Sequence, residues 1–157
     1  MTLKQELGLK HGFDDTSHEA ILNVYYTASI MKKKADAFFN QFGLTDVQFN
    51  LIELLHYQSD KEGGLSQAQI SDMMLVNRAN ITSLVDRMEK AGLVTRNAHS
   101  NDRRFNIVKL TTKGKNLHEK VELPYIEQVR DVMSALNQAQ MKTLTGMLEK
   151  VRGALRV

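Results

Sequence analysis

The stretch LSQAQISDMMLVNRANITSLVDRMEKAGLVTRNAHSNDRRFNIVKLTTKG, from Leu65 to Gly114, decides the fold. Ser66-x-x-Gln69 is a capping box, in which each side chain satisfies an orphan backbone donor of a helix start. Leu65 and Ile70 flank it as a hydrophobic staple. The helix so opened is short and ends near Met73 or Met74. A brief turn, Leu75-Val76, leads to Asn77, which caps a second helix running to Ala91. Val76 and Ile81 are its staple, and Ile81, Leu84, Val85 and Met88 recur on one face. Gly92 stands where a helix-ending glycine is expected. Two short helices joined by a tight turn make a helix-turn-helix. After Gly92 the period changes. Leu93-Val94-Thr95-Arg96 reads as a strand, His99-Ser100-Asn101-Asp102 as a turn, and Arg104 to Leu110 as the returning strand of a wing.

Working outward, residues 17–42 read as a long helix. Ile21, Val24, Tyr25, Ala28, Met31, Ala35, Phe38, Phe39 and Phe42 recur at steps of three and four. Ser17 is its expected N-cap, and Gly43 stops it. Thr45-x-x-Gln48 is a further capping box, followed by Phe49, Ile52 and Leu55 or His56 on one face. Ser59 to Gly64 is a polar loop. Beyond the wing, Thr111 caps a helix expected to reach Ala135, with a kink at Pro124, which lacks a backbone donor. Asn137 opens the last helix. There Met141, Leu144, Leu148, Val151 and Leu155 form an a/d seam, which fits either a helix packed on its own domain or a seam shared between two copies.

The expected class is therefore mainly α with a small β-hairpin wing. A winged helix-turn-helix lobe spans residues 45–115. Residues 1–44 and 116–157 form a helical dimerisation region. A 42% hydrophobic fraction over 157 residues suffices for a sizeable core and argues against disorder. With no cysteine, disulfides, thiolate metal sites and a cysteine nucleophile are excluded. No apolar run approaches the roughly 20 residues of a membrane helix, and the first residues lack a signal-peptide core. A cytoplasmic protein is expected. Between Asn77 and Lys115 nine bases face three acids, a net of +6 that leaves −3 for the rest of a chain whose total is +3. A basic centre between acidic flanks fits a polyanionic partner.

Three motifs in fixed order carry a family resemblance. They are Thr82 to Val94 (TSLVDRMEKAGLV), Asp102-Arg103-Arg104, and Leu110-Thr111-Thr112-Lys113-Gly114. They resemble the MarR family of bacterial transcription regulators, whose corresponding pattern is T-x-L-V-D-R-x-E-x-x-G-L-V, a wing D-x-R, and L-T-x-x-G. The outer helices match by pattern alone. At Ser83 the chain departs from the family, whose members often carry a base there. The resemblance implies a homodimer built by the first and last long helices, and a small, often phenolic, ligand held between that region and the reading lobe. It also implies that Arg104 enters a DNA groove with Asp102 as its buttress.

A recognition helix enters the major groove with its N-terminal residues at the base edges. Arg78 is suited to guanine O6 and N7, and Asn80 to adenine N6 and N7. Thr82 and Ser83 suit phosphate or a thymine methyl, and Arg87 adds a base on the same helix. Asn77 reads first as a cap. Arg103 and Arg104 sit at the hairpin tip, where a narrow minor groove attracts arginine. Tyr25, Tyr26, Phe49, His56 and Tyr57 are candidates to line a pocket for a small aromatic or phenolic ligand, although aromatics at helical spacing usually belong to the core. Enzymatic readings lack support. His18-Glu19 and His118-Glu119 each begin a zinc-protease pattern without its second histidine, and His118 and Glu122 share a helix face, which is too little for a metal site. Neither a phosphate loop nor a serine elbow occurs, and no cofactor is expected. The partners expected are double-stranded DNA, a second copy of the chain and a small ligand, with no membrane. The alternative is a winged-helix module that binds protein rather than DNA.

The wing gives a first prediction. A carboxylate two residues before Arg104 can restrict the reach of an arginine before DNA arrives, and preorganisation lowers the cost of association. Asp102→Ala should leave the melting temperature nearly unchanged, because an exposed pair contributes at most about 1 kcal/mol. The same substitution should weaken DNA binding. Tighter binding in a titration would show that Asp102 only repels phosphate.

Overall fold

The computed structural model describes residues 1–59, 63–74, 78–98 and 106–155. The element order is α1 (Leu3–Glu6), α2 (Thr16–Asn40), α3 (Asp46–Tyr57), β1 (Leu65–Ser66), α4 (Gln67–Met74), α5 (Arg78–Lys90), β2 (Val94–Ala98), β3 (Asn106–Leu110), α6 (Thr112–Met133) and α7 (Gln138–Leu155). This is the mainly helical, winged helix-turn-helix class expected. Among the described residues no helix is long and apolar enough to cross a membrane.

The caps set most boundaries. The Thr45 hydroxyl accepts from the Gln48 N–H while the Gln48 side chain accepts from the Thr45 N–H, closing the box at the start of α3. Ser66 and Gln69 do the same for α4, at 2.8 and 3.2 Å. Asn137 and Gln140 repeat the arrangement before α7. Thr111 caps α6 through the Gly114 N–H at 3.1 Å. The start of α2 corrects the expectation. Asp15, not Ser17, is the N-cap, because its carboxylate accepts the Ser17 N–H at 2.6 Å and so draws Ser17 into the first turn. The α2 helix itself ends at Asn40, two residues before Phe42. Gln41 and Phe42 donate to carbonyls three residues back, and Gly43, at φ +69°, turns the chain. A short helix α1, which the sequence patterns did not flag, precedes it and buries Leu3.

The wing is part of a three-stranded antiparallel sheet in the order β1-β3-β2. β2 runs from Val94 to Ala98, shifted by one residue at its start and two at its end from the expected strand, and pairs Val94 with Leu110 through Ala98 with Asn106. The added strand β1 pairs Leu65 with Val108 and Ser66 with Ile107. Ser66 thus serves both the sheet edge and the cap of α4. Its two-residue length leaves no alternation for a periodicity argument to detect. The turn at residues 99–102, the Asn77 cap and the Val76 half of the staple lie outside the described residues.

One core joins these elements. Ile81, Leu84, Val85 and Met88 of α5 are all buried, with Phe49, Ile52 and Leu55 of α3, Ile70 of α4, Val94 and Val108 of the sheet, Phe39 of α2 and Val121 of α6. On α3 the buried position is Leu55, and His56 is exposed. One helix spans Pro124 and stops at Met133 rather than Ala135. In α7 no residue is buried. Of the a/d seam, Leu144, Val151 and Leu155 are exposed and Met141 and Leu148 half-buried, so the seam is not buried by its own chain.

The tightest joint lies where α5 ends, β2 begins and α6 starts. Gly92, at φ +72°, ends α5 with its N–H on the Glu89 carbonyl, and the Leu93 N–H bonds the Met88 carbonyl. The Leu93 carbonyl then accepts the Thr111 N–H at 3.1 Å. A Cβ on Gly114 would stand 2.2 Å from that same oxygen. Gly114→Ala should therefore destabilise the fold by about 1–3 kcal/mol, as overpacking does, although alanine is the better helix former. A denaturant midpoint equal to that of the parent would contradict the joint.

Candidate nucleic-acid interface

The α5 helix divides into three strips. The first, Ile81, Leu84, Val85 and Met88, faces the core. The second, Thr82, Asp86 and Glu89, is engaged by neighbouring elements. The Thr82 hydroxyl donates to Gln67 Oε1 of α4 at 2.9 Å, fixing one helix of the pair against the other. Arg96, on β2, bonds Asp86 Oδ1 and Glu89 Oε2 at 2.5 Å each, and its backbone N–H donates to Glu89 Oε1 at 3.0 Å. Burial disfavours the Arg96 charge, but the hydrogen bonds to Asp86 and Glu89 more than offset this and hold its pKa above the usual guanidinium value. The third strip, Asn80, Ser83 and Arg87, is exposed. These residues fall at steps of three and four, on one side of the helix, turned away from the core.

This geometry changes the charge reading. Arg96 was one of nine bases between Asn77 and Lys115, and Asp86 and Glu89 were two of the three acids. The three pair within the fold with a residual charge of −1, leaving eight other bases and one other acid in the segment. Lys113 is not poised as a phosphate contact either. Its ammonium donates to the Ala91 carbonyl at 2.7 Å, where a cation opposes the C-terminal dipole of α5. Arg78 opens α5 at its first residue. Asn77, Asp102, Arg103 and Arg104 lie outside the described residues.

The aromatic candidates separate. Tyr25 is exposed on α2 and Tyr26 half-buried. Phe49 is wholly buried, stacked on Phe39 at 4.8 Å and edge-on to Tyr125 at 5.0 Å. His56 and Tyr57 come together around His118 of α6. His56 stacks on His118 at 4.0 Å and Tyr57 meets it edge-on at 5.7 Å. His118 is fully buried, with Nε2 2.7 Å from Glu53 Oε1 and no partner for Nδ1 among the described residues. The Tyr57 hydroxyl donates to Glu122. That bond, with the remaining hydration loss and the nearby Glu122 and Glu53 charges, pushes the Tyr57 hydroxyl up to about 12, so it remains a donor at neutral pH. A separate groove of about 470 Å³ lies between α2 and α6, lined by Met31, Ala35, Tyr125, Val129, Val132 and Met133 among others. None of the five aromatic candidates lines it.

Sequence reasoning missed Arg96, Gln67, Glu53 and Tyr125. Arg96 was legible as a base, but its partners follow only from the crossing of β2 over α5. The clasp is testable. Arg96→Met keeps the aliphatic stem and removes the fork. Because both carboxylates are partly solvated, stability should fall by only about 1–2 kcal/mol. An unchanged urea midpoint would show the pairs to be incidental.

Comparisons with known proteins agree with this geometry. A family model described as MarR family matches residues 42–104, which run from just after α2 to just before β3. The chain is 33% identical over 119 residues to the HTH-type transcriptional regulator FarR of Neisseria gonorrhoeae, covering 74% of this chain and 79% of that protein. It is 29% identical over 112 residues to the HTH-type transcriptional regulator MhqR of Bacillus subtilis, covering 71% and 74%. Among solved structures it resembles the S. aureus MepR–DNA complex, with a TM-score of 0.75, 25% identity, and 85% and 94% of the two chains covered. AbsC of Streptomyces coelicolor, a MarR family transcriptional regulator, shares the fold at a TM-score of 0.84 with 20% identity, covering 94% and 99%. With its three-strip α5 helix, its wing and these relatives, the chain belongs to the MarR family of DNA-binding, helix-turn-helix transcription regulators.

Proposed function

We propose that the protein is a homodimeric repressor that reads a pseudo-palindromic operator and releases it on binding a small aromatic or phenolic effector. The observation that carries this is the exposed strip Asn80, Ser83 and Arg87 on a helix whose other sides are occupied by core and clasp. Asn80 pairs with an adenine edge and Arg78 with guanine, while Ser83 and Arg87 meet the backbone, Thr82 holds α5 to α4 through Gln67 and Asn77 caps the helix. Arg103 and Arg104 of the wing enter the flanking minor groove, with Asp102 as buttress. The protein acts by binding and not by catalysis, in the cytoplasm.

Residues 45–115 form the reading lobe, and residues 1–44 and 116–157 the dimer region. The exposed seam of α7 and the exposed Ile21, Val24 and Met31 of α2 supply apolar surface for that pairing. His56 and Tyr57 present exposed rings next to buried His118, and offer the effector aromatic stacking and a polar handle.

Selection from a random DNA pool tests the reading. An enriched inverted repeat with half-sites about one helical turn, roughly 34 Å, apart is expected, with affinity falling steeply as salt rises. Arg78→Ala should lose about 1–3 kcal/mol on the selected site and relax one position. An equal loss on random DNA would make Arg78 a phosphate contact. Failure to enrich any site, or salt-independent binding, would favour a protein-interaction module.

A further inference from the structure

The hydroxyl of Thr82 joins α4 to α5, and it also decides which way a side chain of α4 faces. Gln67 is the first residue of α4, and its Oε1 accepts the Thr82 hydroxyl at 2.9 Å. A glutamine amide has one accepting end and one donating end. With the accepting end turned to Thr82, the Nε2 amino group is turned away, and it has no acceptor among the described residues. Gln67 is half-buried, so its side chain is ordered on folding rather than on binding. Thr82 is exposed and adjoins Ser83 of the outward strip, which places the amino group at the edge of that surface.

A helix-turn-helix lays its first helix across the DNA backbone while the second enters the groove. A donor on the first helix, at the border of the second, meets a phosphate oxygen rather than a base edge. Because the amide is neutral, the contact releases no counterion, and it contributes direction more than bulk attraction. We propose that Gln67 registers the recognition helix on the operator, its Nε2 donating to one backbone phosphate of each half-site while its Oε1 holds Thr82. The inference rests on the operator-binding reading above and adds a contact outside α5 and the wing. With both ends of the amide engaged, one side chain sets the distance from that phosphate to α5. It thereby sets how Asn80 and Ser83 are seated in the groove.

The experiment uses the full-length protein and the operator selected by the parent. The operator is resynthesised with a neutral methylphosphonate at one backbone position of each half-site, each position in turn. Gln67→Glu is isosteric. It keeps an oxygen for the Thr82 hydroxyl, so its melting temperature should stay near the parent's, but it turns an acceptor and a negative charge toward phosphate. On the unmodified operator it should bind at least about tenfold more weakly. At one position the two proteins should respond in opposite directions. Neutralising that phosphate should weaken the parent about threefold to tenfold and strengthen Gln67→Glu by a similar factor. Gln67→Ala, which removes the donor without adding charge, should lose its sensitivity at that position alone. Gln69→Glu adds the same charge on the same turn and keeps the oxygen that closes the Ser66 cap, so it reports diffuse repulsion. If it matches Gln67→Glu at every position, the effect is one of net charge and the contact is overturned. Binding by Gln67→Glu equal to the parent's, or no position of opposite response, overturns the contact alone. A parent that selects no site overturns the operator-binding reading and the contact with it.

Discussion

The carbonyl of Leu93 is the point on which the lobe depends. It lies one residue past the glycine that ends α5 and one residue before the first wing strand, and it accepts the Thr111 N–H at the threshold of α6. The Thr111 hydroxyl reaches the Gly92 carbonyl at 2.7 Å and accepts the Gly114 N–H, so one threonine joins the end of one helix to the start of another. Gly114 permits the approach because any side chain there would occupy the position of the Leu93 oxygen. Recognition helix, wing and stem therefore share one small, hydrogen-bonded junction. Their relative angles follow from backbone geometry rather than from adaptable side-chain packing.

The Arg96 clasp builds on that junction. A helix proposed to face DNA is ill served by uncompensated carboxylates, yet Asp86 and Glu89 lie on α5. Folding β2 back along the helix turns both acids onto one partly buried guanidinium. This contributes modest stability. Its larger effect is electrostatic. Arg96 offsets one of the two negative charges and holds both carboxylates on its fork, and the strip of Asn80, Ser83 and Arg87 faces outward on a segment that stays strongly basic.

A third feature is the polar packing of α3 on α6. Burying His118 beside Phe49 and His56 costs desolvation, which the Glu53 contact offsets at one nitrogen only. An apolar pair would pack α3 on α6 as well. Polar rungs add registry, because hydrogen bonds tolerate less sliding than dispersion contacts do. Tyr125 touches Phe39 and Phe49 on one side and lines the α2–α6 groove on the other, so the buried core and that groove meet at a single ring.

Local chemistry made much of this legible in the sequence. The capping boxes at Thr45 and Ser66 and the Thr111 cap act within three residues, and all formed as read. The buried face of α5 follows from helical period alone, and the glycine at 92 from the need for positive φ. What sequence periodicity could not supply were contacts closed by chain segments far apart. The two-residue strand β1 exists only because β3 offers it an edge. Asp15 displaced Ser17 as the cap because its carboxylate accepts the Ser17 N–H, which places Ser17 inside the first turn. The partners of Arg96, the burial of His118 against Glu53 and the exposure of the α7 seam depend on how helices cross. Spacing says which residues share a face, and only the packed chain decides what that face meets.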